Sequence, residues 1–298
     1  MFDAKSTAED VVEGLDLSNR CLLVTGANAG IGWETARVLA AAGARVYVGA
    51  RSTERADDAI RRIRARHPEA RVRPFVADLA SVADCTSAAQ ALDEPVLHGF
   101  VANAGLVAPS YGETRDGFER TVGVCHFGHA ALFRGLQDRL IAGAPSRVVM
   151  VSSESHRGEK NLDPERLSLT PDDYAMLPAY NRAKLCNVLF ASEVERRFGD
   201  RGVHAFSLHP GTFIATRIGR DSWLAWLATQ LYRPWAKSLS QGAATQVLAA
   251  VHPSLEGHGG AYLNDTAIGR ASRAGEDAEL ARRLWDATER ALDALPSS

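Results

Sequence analysis

Short apolar, β-branched runs alternate with amphipathic stretches of helical length from Arg20 onward, which is typical of a parallel sheet covered by helices. The runs are almost continuously apolar, as strands buried on both faces should be. The predicted strands are residues 21–26, 44–50, 72–77, 97–103, 146–152, 203–209 and 260–264, and the predicted helices are 30–42, 54–66, 81–92, 115–142, 179–198, 242–251 and 276–294.

Crossovers between such strands are right-handed, so the pattern predicts an α/β fold with one doubly wound parallel sheet and helices on both faces. The 298 residues fit a single domain with a short N-terminal extension, residues 1–19. Two segments depart from the alternation. Residues 154–178 predict a long loop, and residues 212–240 predict a small helical lid after the sixth strand.

Composition excludes several classes of protein. Lys and Arg number 34 against 36 Asp and Glu, so no broad basic field exists for nucleic acid. The four cysteines lie far apart, which predicts no metal site and no disulfide framework, and favours a reducing, cytoplasmic setting. No apolar stretch reaches the ~20 residues of a membrane span, and the first residues lack the pattern of a secretory signal.

A glycine-rich turn follows the first predicted strand directly and opens a helix. Such a turn lets the backbone approach a pyrophosphate, whose charge then lies at the helix N-terminus. The alternative is a tight turn with no ligand. The spacing TGxxxGxG predicts a dinucleotide site of the Rossmann type, with candidate residues Gly26, Asn28, Gly30, Ile31 and Gly32.

The residue after the second strand indicates which dinucleotide binds. NAD enzymes usually place an acid there for the adenosine ribose, whereas this chain has Ala50 followed by Arg51. A guanidinium pairs well with a 2′-phosphate, so NADP(H) is the preferred cofactor and NAD(H) the alternative. Arg51 as a solvated residue at the start of a helix is the structural alternative.

Tyr180 and Lys184 are one helical turn apart on the same face of a predicted helix. A phenol needs a nearby cation before it can exchange a proton near neutral pH, and Lys184 supplies one. Upstream, Ser152 and Ser153 end the fifth strand, where ligands bind in open α/β sheets. Each motif alone is weak, but their order after the glycine-rich turn predicts an oxidoreductase.

Together these motifs resemble the short-chain dehydrogenase/reductase superfamily over residues 20 to 264 at least. The segments 152–157, 179–190, 241–245 and 255–262 are similar to its WW-domain-containing oxidoreductases and retinol dehydrogenases. The resemblance implies that Tyr180 is the general acid/base, that Lys184 binds the nicotinamide ribose and that Ser153 orients the substrate carbonyl. It also implies cofactor contacts from Asp78, Leu79, Asn103, Ala104, Gly105, Pro210 and Gly211.

One position departs from the superfamily. Its relay asparagine, in the pattern NHxGHF, is Cys125 here, and a thiol is a weak hydrogen-bond partner. The relay either tolerates the change or is slowed by it, so an alternative function is an NADP-binding regulatory protein with little turnover. The neighbouring His126 and His129 are expected to be packed or capping residues. A third possibility is an epimerase or dehydratase that retains NAD tightly.

Apolar and aromatic residues recur at helical spacing in residues 222–235. An apolar lid implies a lipophilic substrate, such as a retinoid, a steroid, or a fatty or aromatic carbonyl compound. The alternatives are core packing, a dimer contact or peripheral contact with a membrane. The resemblance also makes a homodimer through residues 115–142 and 179–198 an expectation.

Overall fold

A computed structural model describes residues 2–211 and 237–296. The strands are β1 (Cys21–Val24), β2 (Arg45–Ala50), β3 (Val72–Val76), β4 (Gly99–Ala102), β5 (Ser146–Val151), β6 (Val203–His209), β7 (Tyr262–Asn264) and β8 (Ala267–Gly269). The helices are α1 (Ala8–Val12), α2 (Gly30–Ala41), α3 (Thr53–Arg66), α4 (Val82–Gln90), α5 (Arg120–Val122), α6 (Gly128–Ala142), α7 (Met176–Phe198), α8 (Leu239–Val251) and α9 (Ala278–Asp293). A π-helical turn, Gly123–Phe127, joins α5 to α6.

All eight strands form one sheet in the order β3-β2-β1-β4-β5-β6-β7-β8, and the first seven are parallel. The predicted doubly wound sheet is therefore confirmed. The strand order reverses between β1 and β4, and ligands of such sheets bind at that reversal, outside the carboxyl ends of the strands. The edge strand β3 is half-exposed, which accommodates Pro74.

Two apolar layers cover the sheet, because side chains alternate between its faces along each strand. Leu23, Phe100 and Val148 pack with α4, α6, α7 and α9 on one face. Leu22 and Val101 pack with α1, α2, α3 and α8 on the other. Burial on both faces explains why the strands are almost continuously apolar.

The structure contains two elements that the sequence pattern did not predict. Helix α1 lies within the predicted N-terminal extension, starts with a capping box from Thr7 to Asp10 and buries Ala8 and Val11 completely. Strand β8 pairs antiparallel with β7 through a turn in which Asp265 and Thr266 have positive φ. That turn lacks the glycine that usually announces a hairpin, so the pattern missed it.

The boundaries of other elements also differ from prediction. The predicted helix 115–142 begins at Arg120 and is divided by the π-helical turn into α5 and α6. Helix α7 begins at Met176, three residues earlier than predicted, so the long loop 154–178 is shorter and contains two 3₁₀ turns, Glu154–Gly158 and Pro164–Arg166. Helix α8 begins at Leu239, inside the predicted lid 212–240. Most of that lid lies outside the described residues, as does the tryptophan-rich segment 222–235.

The C-terminal helix α9 covers the seam between α6 and α7. Trp285 stacks on Phe190 with ring centroids 5.0 Å apart and meets Phe133 edge-on at 6.0 Å. Thr288 on the same helix lies 2.8 Å from Nε2 of His126. This part of the two long helices is therefore unavailable to a second copy, and the expected homodimer stays a prediction.

Within residues 2–211 and 237–296, no helix combines the length and the apolar character that crossing a bilayer requires. The same residues contain no cluster of side chains that could hold a metal ion.

Two fully buried histidines should make the stability of the protein depend on pH. Burial lowers the pKa of His126 to about 3 and that of His129 to about 4. The unfolded chain takes up protons below about pH 6.5, whereas the folded rings do not, so the free energy of unfolding should fall between about pH 6.5 and pH 4. Each ring contributes at most about 1.4 kcal/mol per pH unit.

Urea unfolding at pH 7 and pH 5 measures this loss. His126→Phe, surrounded by Phe127 and Phe190, should reduce the loss because one proton uptake is removed. The exposed His258→Phe is the matched control and should leave it unchanged. An unaltered pH dependence in His126→Phe would contradict the assignment.

Candidate functional site

A cleft of about 1660 Å³ opens at the carboxyl ends of the strands, where the strand order reverses. It runs from the start of α3, past the glycine-rich turn, to the middle of α7. Most sequence-predicted site residues line it: Gly26, Asn28, Gly30, Ile31, Gly32, Arg51, Asp78, Leu79, Asn103, Ala104, Gly105, Tyr180, Lys184 and Pro210. Ser153, Cys125 and Gly211 lie outside its described lining.

The glycine-rich turn is held so tightly that side chains cannot be added to it. Gly26 has a φ of +62°, and a Cβ there would lie 2.9 Å from the Cα of Ala104. A Cβ on Gly32 would lie 2.6 Å from the carbonyl oxygen of Gly26 and would overlap Nδ2 of Asn103. Asn103 in turn donates from Nδ2 to the carbonyl oxygen of Thr25 at 2.7 Å. The turn and the Asn103 segment therefore form one unit.

Helix α2 begins at this turn without a side-chain cap. Its N-cap residue, Ala29, offers no hydrogen-bond acceptor, and the first turn of the helix carries no acid. The N–H groups at the start of the helix are thus left for an anion, and the helix dipole favours negative charge there. A pyrophosphate fits this end of the cleft.

Several basic side chains line the far end of the cleft, together with Glu54 and Asp58. Arg51 is exposed, and no salt bridge to any described residue holds it. Arg62 on α3 donates to the carbonyl oxygen of Asn28, and its guanidinium lies 5.1 Å from the ring centroid of Trp33. Arg66 lies over the same ring at 5.2 Å. Sequence reasoning missed Trp33, Arg62 and Arg66, although the i, i+4 spacing of the two arginines on a predicted helix was a usable signal.

Asp78 lies at the cleft wall that follows β3. One carboxylate oxygen accepts from the backbone N–H of Ala80 at 3.1 Å, and the other lies 3.5 Å from a guanidinium nitrogen of Arg115. These contacts fix the carboxylate at the edge of the cleft, next to Leu79.

Lys184 is the buried cation of the site, with only 3% of its surface exposed. Its Nζ donates to the carbonyl oxygen of Val151 at 2.9 Å and lies 5.5 Å from the ring centroid of Tyr180. Asn187, one turn further along α7, donates to the same carbonyl at 3.0 Å. An ammonium has three donors, so two remain for the cleft within the described part of the chain.

The two adjacent serines have different environments. Ser152 is buried, and its hydroxyl donates to the carbonyl oxygen of Lys184 at 2.7 Å, so it joins β5 to α7. Ser153 is only partly buried, and its Oγ accepts from the N–H of Ser155 at 3.2 Å. Among the described residues no acceptor takes its hydroxyl hydrogen, so that hydrogen can be donated to a ligand.

His156 fixes the backbone at Ser153. Its Nδ1 lies 2.7 Å from the carbonyl oxygen of Ser153, and its Nε2 accepts from the N–H of Ser272 at 3.0 Å. Burial lowers the pKa of His156, which keeps the ring neutral and suits one donating and one accepting nitrogen. Sequence reasoning did not identify this histidine, because its partners are distant in the chain.

Cys125 lies in the π-helical turn and is fully buried. Its thiol faces the carbonyl oxygen of Leu106 at 3.7 Å, a long contact for a weak donor. A Cβ on Gly105 would lie 3.3 Å from both the Cys125 sulfur and the Lys184 nitrogen. The thiol and the ammonium therefore both lie next to Gly105, and of the two residues only Lys184 lines the cleft.

Pro210 and Gly211 follow β6 at the same end of the sheet. Pro210 lines the cleft, and Gly211 has a φ of +104°. A Cβ on Gly211 would lie 2.7 Å from Nζ of Lys237 and 2.9 Å from Oδ1 of Asp265, and these two side chains form an ion pair. The predicted lid begins at the next residue, outside the described part of the chain.

Hydride exchange with a nicotinamide dinucleotide requires a place for a pyrophosphate and a group that can exchange a proton at the same strand ends, and this cleft contains an uncapped helix start and the phenol of Tyr180. The fold and the cleft together define an oxidoreductase that uses a nicotinamide dinucleotide.

Comparison with known proteins agrees with that class. Residues 20–163 match the family model described as short chain dehydrogenase. The chain is 43% identical to the WW domain-containing oxidoreductase of Danio rerio over 97% of its own length and 72% of the fish protein. It is 36% identical to retinol dehydrogenase 11 of Mus musculus over 91% of this chain and 86% of the mouse protein. The chain belongs to the short-chain dehydrogenase family.

Solved structures show the same fold. An uncharacterised protein of Mycobacterium paratuberculosis superposes with a TM-score of 0.77 at 28% identity, covering 97% of this chain and 98% of that one. The NADPH-bound structure of a short-chain oxidoreductase from Pseudomonas aeruginosa superposes with a TM-score of 0.66 at 22% identity, covering 86% and 99%.

Adding one methyl group at Gly32 should weaken dinucleotide binding. Gly32→Ala must displace Asn103 or the glycine-rich turn, so we expect the Kd for NADPH to rise at least tenfold, measured by quenching of tryptophan fluorescence. Gly135→Ala is the matched control, because its Cβ would lie 2.6 Å from that of Ala89, away from the cleft. It should lower the midpoint of thermal unfolding without changing the Kd. An equal change of Kd in both variants would contradict the role of the glycine-rich turn in dinucleotide binding.

Proposed function

We propose that the protein transfers hydride between NADP(H) and the carbonyl or alcohol group of a lipophilic small molecule, in the direction of reduction when NADPH is bound. The observation that carries this proposal is the buried ammonium of Lys184 beside the ring of Tyr180, in the cleft whose other end fits a dinucleotide. A buried cation next to a phenol is the arrangement that a tyrosine acid requires.

A nicotinamide dinucleotide held in this cleft would supply the hydride for the carbonyl carbon of the substrate. Tyr180 gives its hydroxyl proton to the substrate oxygen, so that the carbonyl becomes an alcohol. Lys184 stabilises the phenolate that is left, because its ammonium is fixed by the Val151 carbonyl and screened little by water. Ser153 donates its hydroxyl hydrogen to the same substrate oxygen and holds it near Tyr180.

The remaining contacts of the cleft are assigned to the cofactor. Gly26, Asn28, Gly30, Ile31 and Gly32 take the pyrophosphate, and Asp78 and Leu79 take the adenine. Asn103, Ala104 and Gly105 form the cleft floor, Lys184 binds the nicotinamide ribose, and Pro210 and Gly211 face the nicotinamide amide. Their position on or next to the cleft lining supports this assignment.

The preference for NADP(H) rests on Arg51. Its guanidinium is exposed at the cleft, and β2 ends in Gly49 and Ala50 without the acid that would accept from a free ribose. NAD(H) remains the alternative cofactor.

Arg51→Ala should raise the Kd for NADPH about tenfold or more, because a charge-assisted hydrogen bond to the 2′-phosphate is lost, and should change the Kd for NADH less than twofold. Fluorescence titration with each nucleotide measures both constants. Arg61→Ala is the matched control, since Arg61 lies on α3, is exposed, pairs with Asp58 and is not itself among the residues that line the cleft. Equal weakening of NADPH binding and NADH binding in Arg51→Ala would contradict a contact between Arg51 and the 2′-phosphate.

Two exposed apolar residues support a lipophilic substrate. Met176 and Leu177, at the start of α7, are 47% and 58% exposed. They precede Tyr180 by four and three residues, so they lie on its side of the helix and extend the reaction site with an apolar surface. A retinoid, a steroid, or a fatty or aromatic carbonyl compound would fit such a surface. Membrane contact through residues 222–235 stays a prediction.

Tyr180→Phe tests the reaction itself. Consumption of NADPH with a panel of apolar aldehydes and ketones, followed by absorbance, should fall at least 10²-fold because the proton donor is lost. The Kd for NADPH should change less than twofold. Tyr47→Phe is the matched control, because its hydroxyl lies in contact with the Asp93 carbonyl at 3.4 Å, away from the cleft, and should keep full activity. Normal turnover by Tyr180→Phe would remove the mechanism.

The same panel tests the regulatory alternative that Cys125 suggests. Tight NADPH binding by the wild-type protein without consumption of NADPH on any substrate would favour that alternative. Four buried free thiols support a reducing compartment, and we place the activity in the cytoplasm.

A further inference from the structure

His129 connects the glycine-rich turn to the π-helical turn behind Lys184. It is fully buried on α6 and is not among the residues that line the cleft. Its Nε2 lies 2.9 Å from the hydroxyl of Thr25, the residue that precedes Gly26. Its Nδ1 lies 3.0 Å from the carbonyl oxygen of Cys125.

The direction of each hydrogen bond follows from its partners. A carbonyl only accepts, so Nδ1 carries the hydrogen and donates to Cys125, which leaves Nε2 as an acceptor. The hydroxyl of Thr25 then donates to Nε2. Its lone pairs accept from the N–H groups of Asn103 and Ala104, each at 3.0 Å. Every polar atom in this buried series of hydrogen bonds has a partner, and the bonds all run in the same direction, from Asn103 and Ala104 to Cys125.

The ring must be neutral for this pattern to exist. Burial lowers the pKa of His129 to about 4, and the nearby charge of Lys184 acts in the same direction. A protonated ring would donate from both nitrogens, and the Thr25 hydroxyl would keep only the more distant carbonyl oxygen of Val101, at 3.4 Å, as an acceptor among the described residues.

The two ends of this series of hydrogen bonds lie in different parts of the site. Thr25 orders the turn that fits the pyrophosphate and holds the Asn103 and Ala104 segment against it. Cys125 lies beside Gly105, as does the ammonium of Lys184, and its thiol makes only a long contact. The backbone of Cys125 is therefore fixed by His129, at the position where the side chain contributes little.

We propose that His129 is a positioning residue with two separable roles: its Nε2 holds the glycine-rich turn for the cofactor, and its Nδ1 holds the Cys125 turn behind Lys184 for catalysis. The proposal rests on the proposed hydride transfer only for the second role. Its first role concerns cofactor binding and is measured without turnover.

Two substitutions separate the roles, because each retains one nitrogen position of the ring. The amide of His129→Asn replaces Nδ1, so it keeps the donor to Cys125 and loses the acceptor for Thr25. The longer His129→Gln places its amide near Nε2, so it keeps the Thr25 contact and leaves the Cys125 carbonyl without its donor. Neither changes the charge of the neutral site.

We expect His129→Asn to raise the Kd for NADPH about tenfold, with kcat at saturating NADPH within twofold of wild type. His129→Gln should leave the Kd within twofold and lower kcat about tenfold. His126→Gln is the matched control: this neighbouring histidine bonds to Thr288, so neither constant should change more than twofold. The same change of Kd and kcat in both His129 variants, or a lower thermal midpoint alone, would overturn the proposal.

Thr25→Val provides a second test that does not depend on the His129 variants alone. It should raise the Kd for NADPH at least as much as His129→Asn, and adding His129→Asn to it should raise the Kd no further. Additive effects would overturn the coupling. If no carbonyl compound is reduced by the wild-type protein, hydride transfer fails while the Kd measurements still decide the first role.

Discussion

The buried ammonium of Lys184 is the interaction on which the arrangement of the site depends. An unpaired buried charge would be costly, so the chain must provide fixed polar partners, and the first is the carbonyl oxygen of Val151 at the end of β5. Ser152 closes the same junction from the opposite direction by donating to the Lys184 backbone. These two contacts fix the position of helix α7 at the end of the sheet. The position of Tyr180, which lies on the same helix, is fixed with it.

Two neutral histidines stabilise the segments around this junction. His129 links the glycine-rich turn to the Cys125 turn, and His156 links the Ser153 backbone to the loop at Ser272. Each ring uses one nitrogen as a donor and the other as an acceptor, which no other neutral side chain does with comparable rigidity. A carbonyl and a hydroxyl, or a carbonyl and an amide, are thus joined at a fixed separation inside an apolar core.

The sequence predicted those parts of the site whose signals are local. The TGxxxGxG turn, Arg51 after β2 and the Tyr180–Lys184 pair each occupy a few consecutive residues or one helical turn, and the structure brings them to one cleft. The contacts of His129 and the cover of α9 join residues far apart in the chain, so no period or spacing predicts them. The contact of Trp33 with Arg62 also joins distant residues, and the i, i+4 spacing of Arg62 and Arg66 indicated only the arginine side of it. Helix α1 is too short for a periodic signal, and β8 follows a turn in which Asp265 and Thr266 occupy a conformation that usually marks glycine or asparagine.

Because α9 covers the seam between α6 and α7, it also determines when that seam is buried during synthesis. Phe133 and Phe190 are synthesised well before Trp285, which completes their cluster. During synthesis the seam between α6 and α7 therefore stays open to water after the sheet strands β1 to β6 have left the ribosome, and it closes only when residues 278–293 arrive. Until then the nascent chain carries an aromatic surface that a chaperone can bind.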